Sequence, residues 1–203
     1  MYLVGLTGGV AAGKSTVAAR WRELGAIEID ADLLAREAIA PGSEGFQRVI
    51  AEFGAAILDD NGNLDRKALG AIVFADAGKK QALEAIVHPI VRQLAAEKLA
   101  SCPGDAIVVY NVPLLVEASV DLPFDFVATV EAPEAEQIRR MVEDRGLTAS
   151  QARAIISNQA LPAQRANSSD AVVNSNQPLV LMIKDVDQLY RRFERELASK
   201  QQG

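Results

Sequence analysis

The chain has 203 residues, of which 49% are hydrophobic and 24% charged, enough for one full core with a small appended subdomain but too few for two ordinary independent domains. The balance of 21 Lys and Arg against 27 Asp and Glu, net −6, argues against broad electrostatic capture of nucleic acid or an anionic membrane, so an anionic ligand has to be held locally. No basic leader, no apolar run long enough to span a bilayer and no fixed-period repeat stands in the sequence, and a cytoplasmic globular protein is expected.

In chain order, "YLVGLT" is a short apolar run that predicts a strand, ended by Gly8-Gly9. Val17, Ala18, Trp21 and Leu24 then recur at helical spacing. Gly25 stops that helix, and "AIEI" predicts a second strand that delivers Asp30 at its end. Residues 33–100 are too long for one crossover helix. Segments such as "SEGFQRVIAEFG" and "RKALGAIVFA", split by the turn "LDDNGN", read as a helical insert that forms a substrate subdomain. Within it Pro89 suits the first turn of a new helix, with His88 at its start.

Cys102 in "SCPGD" is the single cysteine; it has no internal disulfide partner, agrees with a reducing compartment, and reads as a small buried apolar side chain. "AIVVYNV" (106–112) and "DFVATV" (125–130) are nearly continuous apolar, β-branched runs, as strands buried on both faces of a parallel sheet are. Residues 133–160 form a second helical excursion carrying Arg139, Arg140, Arg145 and Arg153, and "DAVVN" (170–174) is a weaker fifth strand. Only the tail "SKQQG" reads as disordered.

"GGVAAGKST" (8–16) fits G-x-x-x-x-G-K-[ST] through Gly8, Gly13, Lys14 and Ser15. In that spacing the glycines let backbone N–H groups curl around phosphates, the lysine reaches the terminal phosphates, and the hydroxyl ligates Mg²⁺. The fold expected around it is α/β, a P-loop NTPase-type parallel five-stranded sheet flanked by helices. Its core covers about 1–32, 101–132 and 161–203, with the helical substrate-binding insert at about 33–100 and a helical lid at about 133–160. Asp30 and Asp32 follow the second strand, at the carboxyl edge where open α/β sheets bind ligands. A carboxylate there accepts a proton from an attacking hydroxyl or holds the metal's water shell, while Asp32 also suits the N-cap of "LLAREAIA", and the functional and capping roles are compatible. "PEAEQIRRMVEDR" interleaves acids and bases as a solvated helix face does, yet phosphoryl transfer needs a cation on a closing lid, and at least one of the four arginines is expected to supply it. His88 pairs with nothing nearby in sequence and reads first as structural.

These pieces together resemble the dephospho-CoA kinase family over nearly the whole chain. The resemblance rests on "GLTGGVAAGKST", "IDADLLAR", "FG" at 53–54 with "LDDNGNLDRKAL", "VF" at 73–74, "HP" at 88–89 and "VPLLVE" at 112–117. It implies ATP-dependent phosphorylation of the ribose 3′-hydroxyl of dephospho-CoA, the last step of coenzyme A biosynthesis, with ATP and Mg²⁺. It also implies that the nucleotide lies on Gly9, Ala11, Ala12, Gly13, Lys14, Ser15 and Thr16, with Ser15 as the metal ligand. Asp32 is then the general base, Lys14 and Arg140 act on the transferred group, and Arg36, His88 and Arg92 with Asp32 face the dephospho-CoA side. Asn174 or Asn176, with Asn176 preferred, is the adenine contact that the resemblance implies.

The sequence departs from the family pattern at Ala11, where glycine is frequent. It departs also in the order Asp144-Arg145, at Ile155 in place of an arginine, and in "VVNSN" after Gln159, Arg165 and Asp170. Asn111 stands where many P-loop enzymes place an acid, which leaves the carboxylate partner of the metal open. A nucleoside monophosphate kinase or another small-metabolite kinase shares the loop and lid. A GTP-dependent switch protein would be expected to carry an N/T-K-x-D element, and "IKDVD" at 183–187 does not supply one.

Overall fold

A computed structural model describes residues 1–113, 115 and 122–202. The chain divides into two compact units, Met1–Asp30 with Cys102–Gly203, and Ala31–Ser101.

The first unit is built on five parallel strands: β1 (Tyr2–Gly8), β2 (Ile27–Asp30), β3 (Ile107–Asn111), β4 (Phe126–Glu131) and β5 (Ala171–Asn174). They lie in the order β2-β3-β1-β4-β5. The apolar runs become the centre of the sheet: every residue of β1 and β3 is buried, whereas the edge strands β2 and β5 are partly exposed. Register aligns Leu6 with Asn111 on one side of β1 and Leu6 with Ala128 on the other, so the carboxyl ends of the three central strands finish at one edge. Glycine-rich loop 9–13 leaves from that edge and enters α1 (Lys14–Glu23).

One face of the sheet packs on α1 and on the last helix, α9 (Leu179–Lys200); α2–α8 lie between these in chain order. Met182, Val186, Tyr190, Phe193 and Leu197 recur three or four residues apart on α9 and form its buried stripe. Phe193 is the hub of this layer: its ring lies 5.7 Å from Tyr2, 5.2 Å from Trp21, 5.1 Å from Phe126 and 6.4 Å from Tyr190. The buried Trp21 indole N–H donates to the Val186 carbonyl at 3.0 Å, which satisfies the one polar atom it carries. α9 runs through Ser199 and Lys200, and the Lys200 ammonium donates to Asp125 and lies 5.6 Å over the Tyr2 ring. The expected disorder is corrected for Ser199 and Lys200 by these contacts; Gly203 lies outside the described residues.

After β4 come α6 (Glu134–Arg145), α7 (Ala149–Ser157) and α8 (Pro162–Asn167). Gly146, left-handed at φ 64, ends α6, and a Thr148/Gln151 capping box opens α7.

The second unit holds α2 (Ala31–Ala38), α3 (Glu44–Phe53), α4 (Arg66–Ala75) and α5 (Ala77–Ala100). Ser43, Asp65 and Asp76 cap α3, α4 and α5 through their side chains. In "LDDNGN" the Asp59 carboxylate accepts from the N–H groups of Asn61 and Asn63 at 2.9 and 2.8 Å, which fixes the turn. The core gathers Ala38, Val49, Ile57, Leu69, Ile86 and Val87.

Pro89 does not open a helix: it lies inside the 24-residue α5. It has no N–H to donate to the Ala85 carbonyl, a loss of about 3 kcal/mol in a helix interior. Ile86 and Val87 before it and Ile90, Val91 and Leu94 after it pack into the same core, and each aliphatic chain fully buried is worth about 1.5–3 kcal/mol. A shared apolar face therefore outweighs the missing bond. Cys102 is half-buried rather than buried.

Phe193→Ala removes a fully buried ring that touches four aromatic neighbours. It is expected to lower the stability of the sheet unit by about 3–5 kcal/mol, measured by urea unfolding followed by fluorescence.

Candidate active site

Absence of side chains lets the phosphate-loop motif sit against the sheet. A Cβ on Gly8 would come within 2.5 Å of the Val130 carbonyl oxygen, and one on Gly9 within 2.2 Å of Gln137 Nε2 and 3.1 Å of Arg165 Nη2. Gly13, left-handed at φ 96, turns the chain into α1. Ala11 has φ 53 and is the one non-glycine residue with positive φ among those described, so the departure from glycine there is a departure in strain. The loop is pinned by Ala12 N–H to Gly9 O at 3.1 Å, Thr16 N–H to Gly13 O at 3.0 Å and Val10 N–H to the Gln159 side-chain oxygen at 2.9 Å. Ala12 is buried in the core, and Ser15 is exposed in the first turn of α1, where the helix dipole favours an anion.

Arg165 is 3% exposed, and its guanidinium is bidentate on Glu131, at 2.6 and 2.7 Å. The pair stands behind Gly9 and stiffens the loop from outside.

The Lys14 ammonium donates to the side-chain oxygen of Asn111. The amide nitrogen of Asn111 donates in turn to Glu28 at 2.6 Å, and Arg22 bonds the other oxygen of Glu28 at 3.0 Å.

Of the four arginines of residues 133–160 named above, Arg140 on α6 reaches the loop. It donates to the Ala11 carbonyl at 3.1 Å, to the Ser175 hydroxyl at 3.2 Å and to the Ser175 carbonyl at 2.9 Å, while its Nε is held by Glu136 at 2.8 Å. Arg139 instead pairs with Glu136 and Glu143 on its own helix, and Arg153 is exposed on α7. The Glu136 carboxyl is held down at about 2, first by hydrogen bonding to Arg139 and then by Arg140.

A cavity of about 340 Å³ opens beside the loop, lined by Gly13, Ser15 and Thr16 on one side, by Arg140 with Asp144 and Arg145 on a second, and by Ser175, Gln177, Leu179 and Met182 on a third. Asn176 lies between two of these lining residues and is itself exposed, its N–H taken by the Asn174 side chain at 2.8 Å.

In the helical unit, Asp32 and Arg36 stand one turn apart on α2, both exposed, and His88 and Arg92 one turn apart on α5, also exposed. The two helices pack against each other, and Lys98 of α5 pairs with Glu37 of α2 at 3.3 Å. α2 begins at Ala31, so Asp32 is in the first helical turn rather than at the N-cap, and Asp30 is the residue before the helix. Of "VPLLVE", Leu114, Val116 and Glu117 lie outside the described residues.

The family model for dephospho-CoA kinase matches residues 2–180. The chain belongs to the dephospho-CoA kinase family. A dephospho-CoA kinase of Frankia casuarinae is 45% identical over 86% of this chain and 76% of its own length, and one of Thermobifida fusca is 40% identical over 98% and 100%. A crystal structure of a Thermus thermophilus protein superposes with a TM-score of 0.77 at 32% identity, covering 90% of this chain and 92% of that one. The dephospho-CoA kinase of Campylobacter jejuni, at 20% identity and covering 95% and 97%, gives 0.65 and shares the fold. Membership makes the chain a P-loop kinase of coenzyme A biosynthesis that uses ATP.

Set beside the dephospho-CoA kinase resemblance, the sequence reading missed Glu28, Glu131, Gln137, Ser175 and Gln177. An acid set inside the apolar strand "IEID" was the available signal for Glu28; the others follow from tertiary contacts alone.

Ala11→Gly removes the left-handed strain of an L-residue and is expected to stabilise the protein by about 1 kcal/mol, read from the urea midpoint. Because the Glu136 carboxyl is held below its ordinary 4.5 in the folded state, its contribution is present above pH about 4.5 and is lost as the pH falls through about 2. The stability difference between the parent and Glu136→Gln should therefore shrink over that interval in pH-resolved urea unfolding.

Proposed function

We propose that the chain transfers the γ-phosphoryl group of ATP in line to the ribose 3′-hydroxyl of dephospho-CoA, giving coenzyme A and ADP, with Mg²⁺. The observation that carries this reading is Arg140, bonded to the Ala11 carbonyl and to Ser175 beside the cavity. A phosphate loop and a lid cation thus converge on one volume, and phosphoryl transfer requires positioning and charge stabilisation more than covalent chemistry.

In this reading Gly9 and the run Ala11 to Thr16 cradle the phosphates, with Asn176 near the adenine. Lys14 and Arg140 stabilise the charge on the moving group, and α6 with α7 acts as the lid that excludes water. Ser15 Oγ is the protein ligand of Mg²⁺. No group of three or more His, Cys, Asp or Glu gathers as a metal cage among the described residues, and one exposed hydroxyl next to bound phosphates suits an ion that keeps most of its waters. When bound, Mg²⁺ would supply positive charge against the phosphates. Asp32, two residues past the end of β2, accepts the 3′-hydroxyl proton as that oxygen attacks phosphorus and ADP leaves. Arg36, His88 and Arg92 bind the dephospho-CoA anion, and residues 31–101 are the substrate subdomain. A cytoplasmic setting is part of this reading, and no helix among the described residues is long and apolar enough to cross a membrane. The acidic balance disfavours nucleic acid as a partner.

A coupled ADP-release assay with dephospho-CoA, its product identified by mass, is expected to show one added phosphoryl group; no phosphorylated product overturns the proposal. Asp32→Asn is expected to keep its ATP affinity while kcat falls by about 10²–10⁴, and unchanged turnover removes Asp32 from the mechanism.

A further inference from the structure

We infer that Glu28 and Asn111 are positioning residues for Lys14, a carboxylate–amide relay that aims the lysine at the phosphates.

Asn111 ends β3 and is 4% exposed, so both ends of its amide need partners within the protein. The acceptor end takes the Lys14 ammonium, and the donor end gives a hydrogen bond to Glu28 Oε1 at 2.6 Å. β2 pairs with β3 so that Asp30 lies opposite Asn111; Glu28, two residues earlier, shares the face of Asp30 because strand side chains alternate.

A carboxylate only accepts and an ammonium only donates, and this fixes the amide. Turning it over would set its NH₂ against Lys14 and its oxygen against Glu28, two repulsive contacts in place of two attractive ones. Glu28 thus determines which atom of Asn111 faces the lysine. Its other oxygen is held by Arg22 at 3.0 Å, in the last turn of the helix that Lys14 begins. Both ends of α1 are therefore tied to one acid–amide pair at the sheet edge.

Asn111 meets the ammonium as a neutral amide, and a hydrogen bond to a neutral acceptor is weaker than one to a carboxylate, so the contact orients Lys14 at small cost when a phosphate arrives. The carboxylate that P-loop enzymes often carry at the end of this strand is here one side chain further back, on β2, and acts through the amide.

The inference rests on the phosphoryl-transfer reading above. Glu28→Leu is expected to lower kcat about tenfold, within the range of coupling between groups of one hydrogen-bond network, with KM for dephospho-CoA changed less than about twofold. Glu28→Gln, whose side-chain oxygen still accepts from Asn111, should restore kcat to within about twofold of the parent. Asn111→Ala should match Glu28→Leu, and the double variant should be no worse than Asn111→Ala alone. Unchanged kcat in Glu28→Leu, or losses that multiply in the double variant, overturns the relay. If Glu28→Leu does not fold, Asn111→Ala decides: a kcat unchanged from the parent overturns it. If the parent yields no phosphorylated product the reading beneath fails, and calorimetric ATP affinity decides the relay: about tenfold weaker binding by Glu28→Leu supports it, and equal binding overturns it.

Discussion

The position of the phosphate loop depends on a contact that no side chain could survive, the approach of Gly8 to the Val130 carbonyl. β1 is the middle strand, flanked by β3 and β4, and its last residue has to turn out of the sheet while β4 continues to Glu131 beside it. With nothing on Gly8 or Gly9, the loop lies low over the sheet edge, where Gln137 and the Arg165–Glu131 pair close around it. Gly13 then reverses into α1, which delivers Lys14 and Ser15 to the same edge. Local backbone permission sets the height of the cradle, and buried side chains outside the motif set its stiffness.

That division explains what the sequence made legible. β1, β3 and β4 were readable because a strand covered on both faces leaves an unbroken apolar run, and "GGVAAGKST" was readable because its spacing is the chemistry. β5 was fainter, since an edge strand is half exposed. Pro89 misled because local proline rules were applied to a segment whose apolar face continues on both sides of it. Arg140 was one of three arginines in a helix of alternating charge, and only its reach to Ala11 and Ser175 separates it from Arg139 one residue away. Glu28 and Asn111 lie 83 residues apart in sequence, and the register between β2 and β3 alone makes them neighbours.

Charge in this protein is paired locally rather than spread. Arg139 and Arg140 share Glu136, Arg165 is held by Glu131, and Arg22 by Glu28. Each of these guanidinium groups has a carboxylate within 3.0 Å, so a chain of net −6 still holds cations in defined directions, and one of them, Arg140, lines the cavity beside the phosphate loop. An enzyme handling two anionic substrates needs that kind of placement, since a general positive field would recruit competing polyanions as well.

The buried indole of Trp21 has a consequence for how the molecule reports on itself. It is the one tryptophan in the chain, and the three tyrosines, Tyr2, Tyr110 and Tyr190, belong with it to the sheet unit; residues 31–101 contain neither. Ultraviolet emission is therefore silent about the helical unit, while far-ultraviolet ellipticity weighs both. The two signals will trace one melting curve only if the units lose structure together, so the distribution of chromophores gives this chain a built-in test of whether its two cores are one cooperative system.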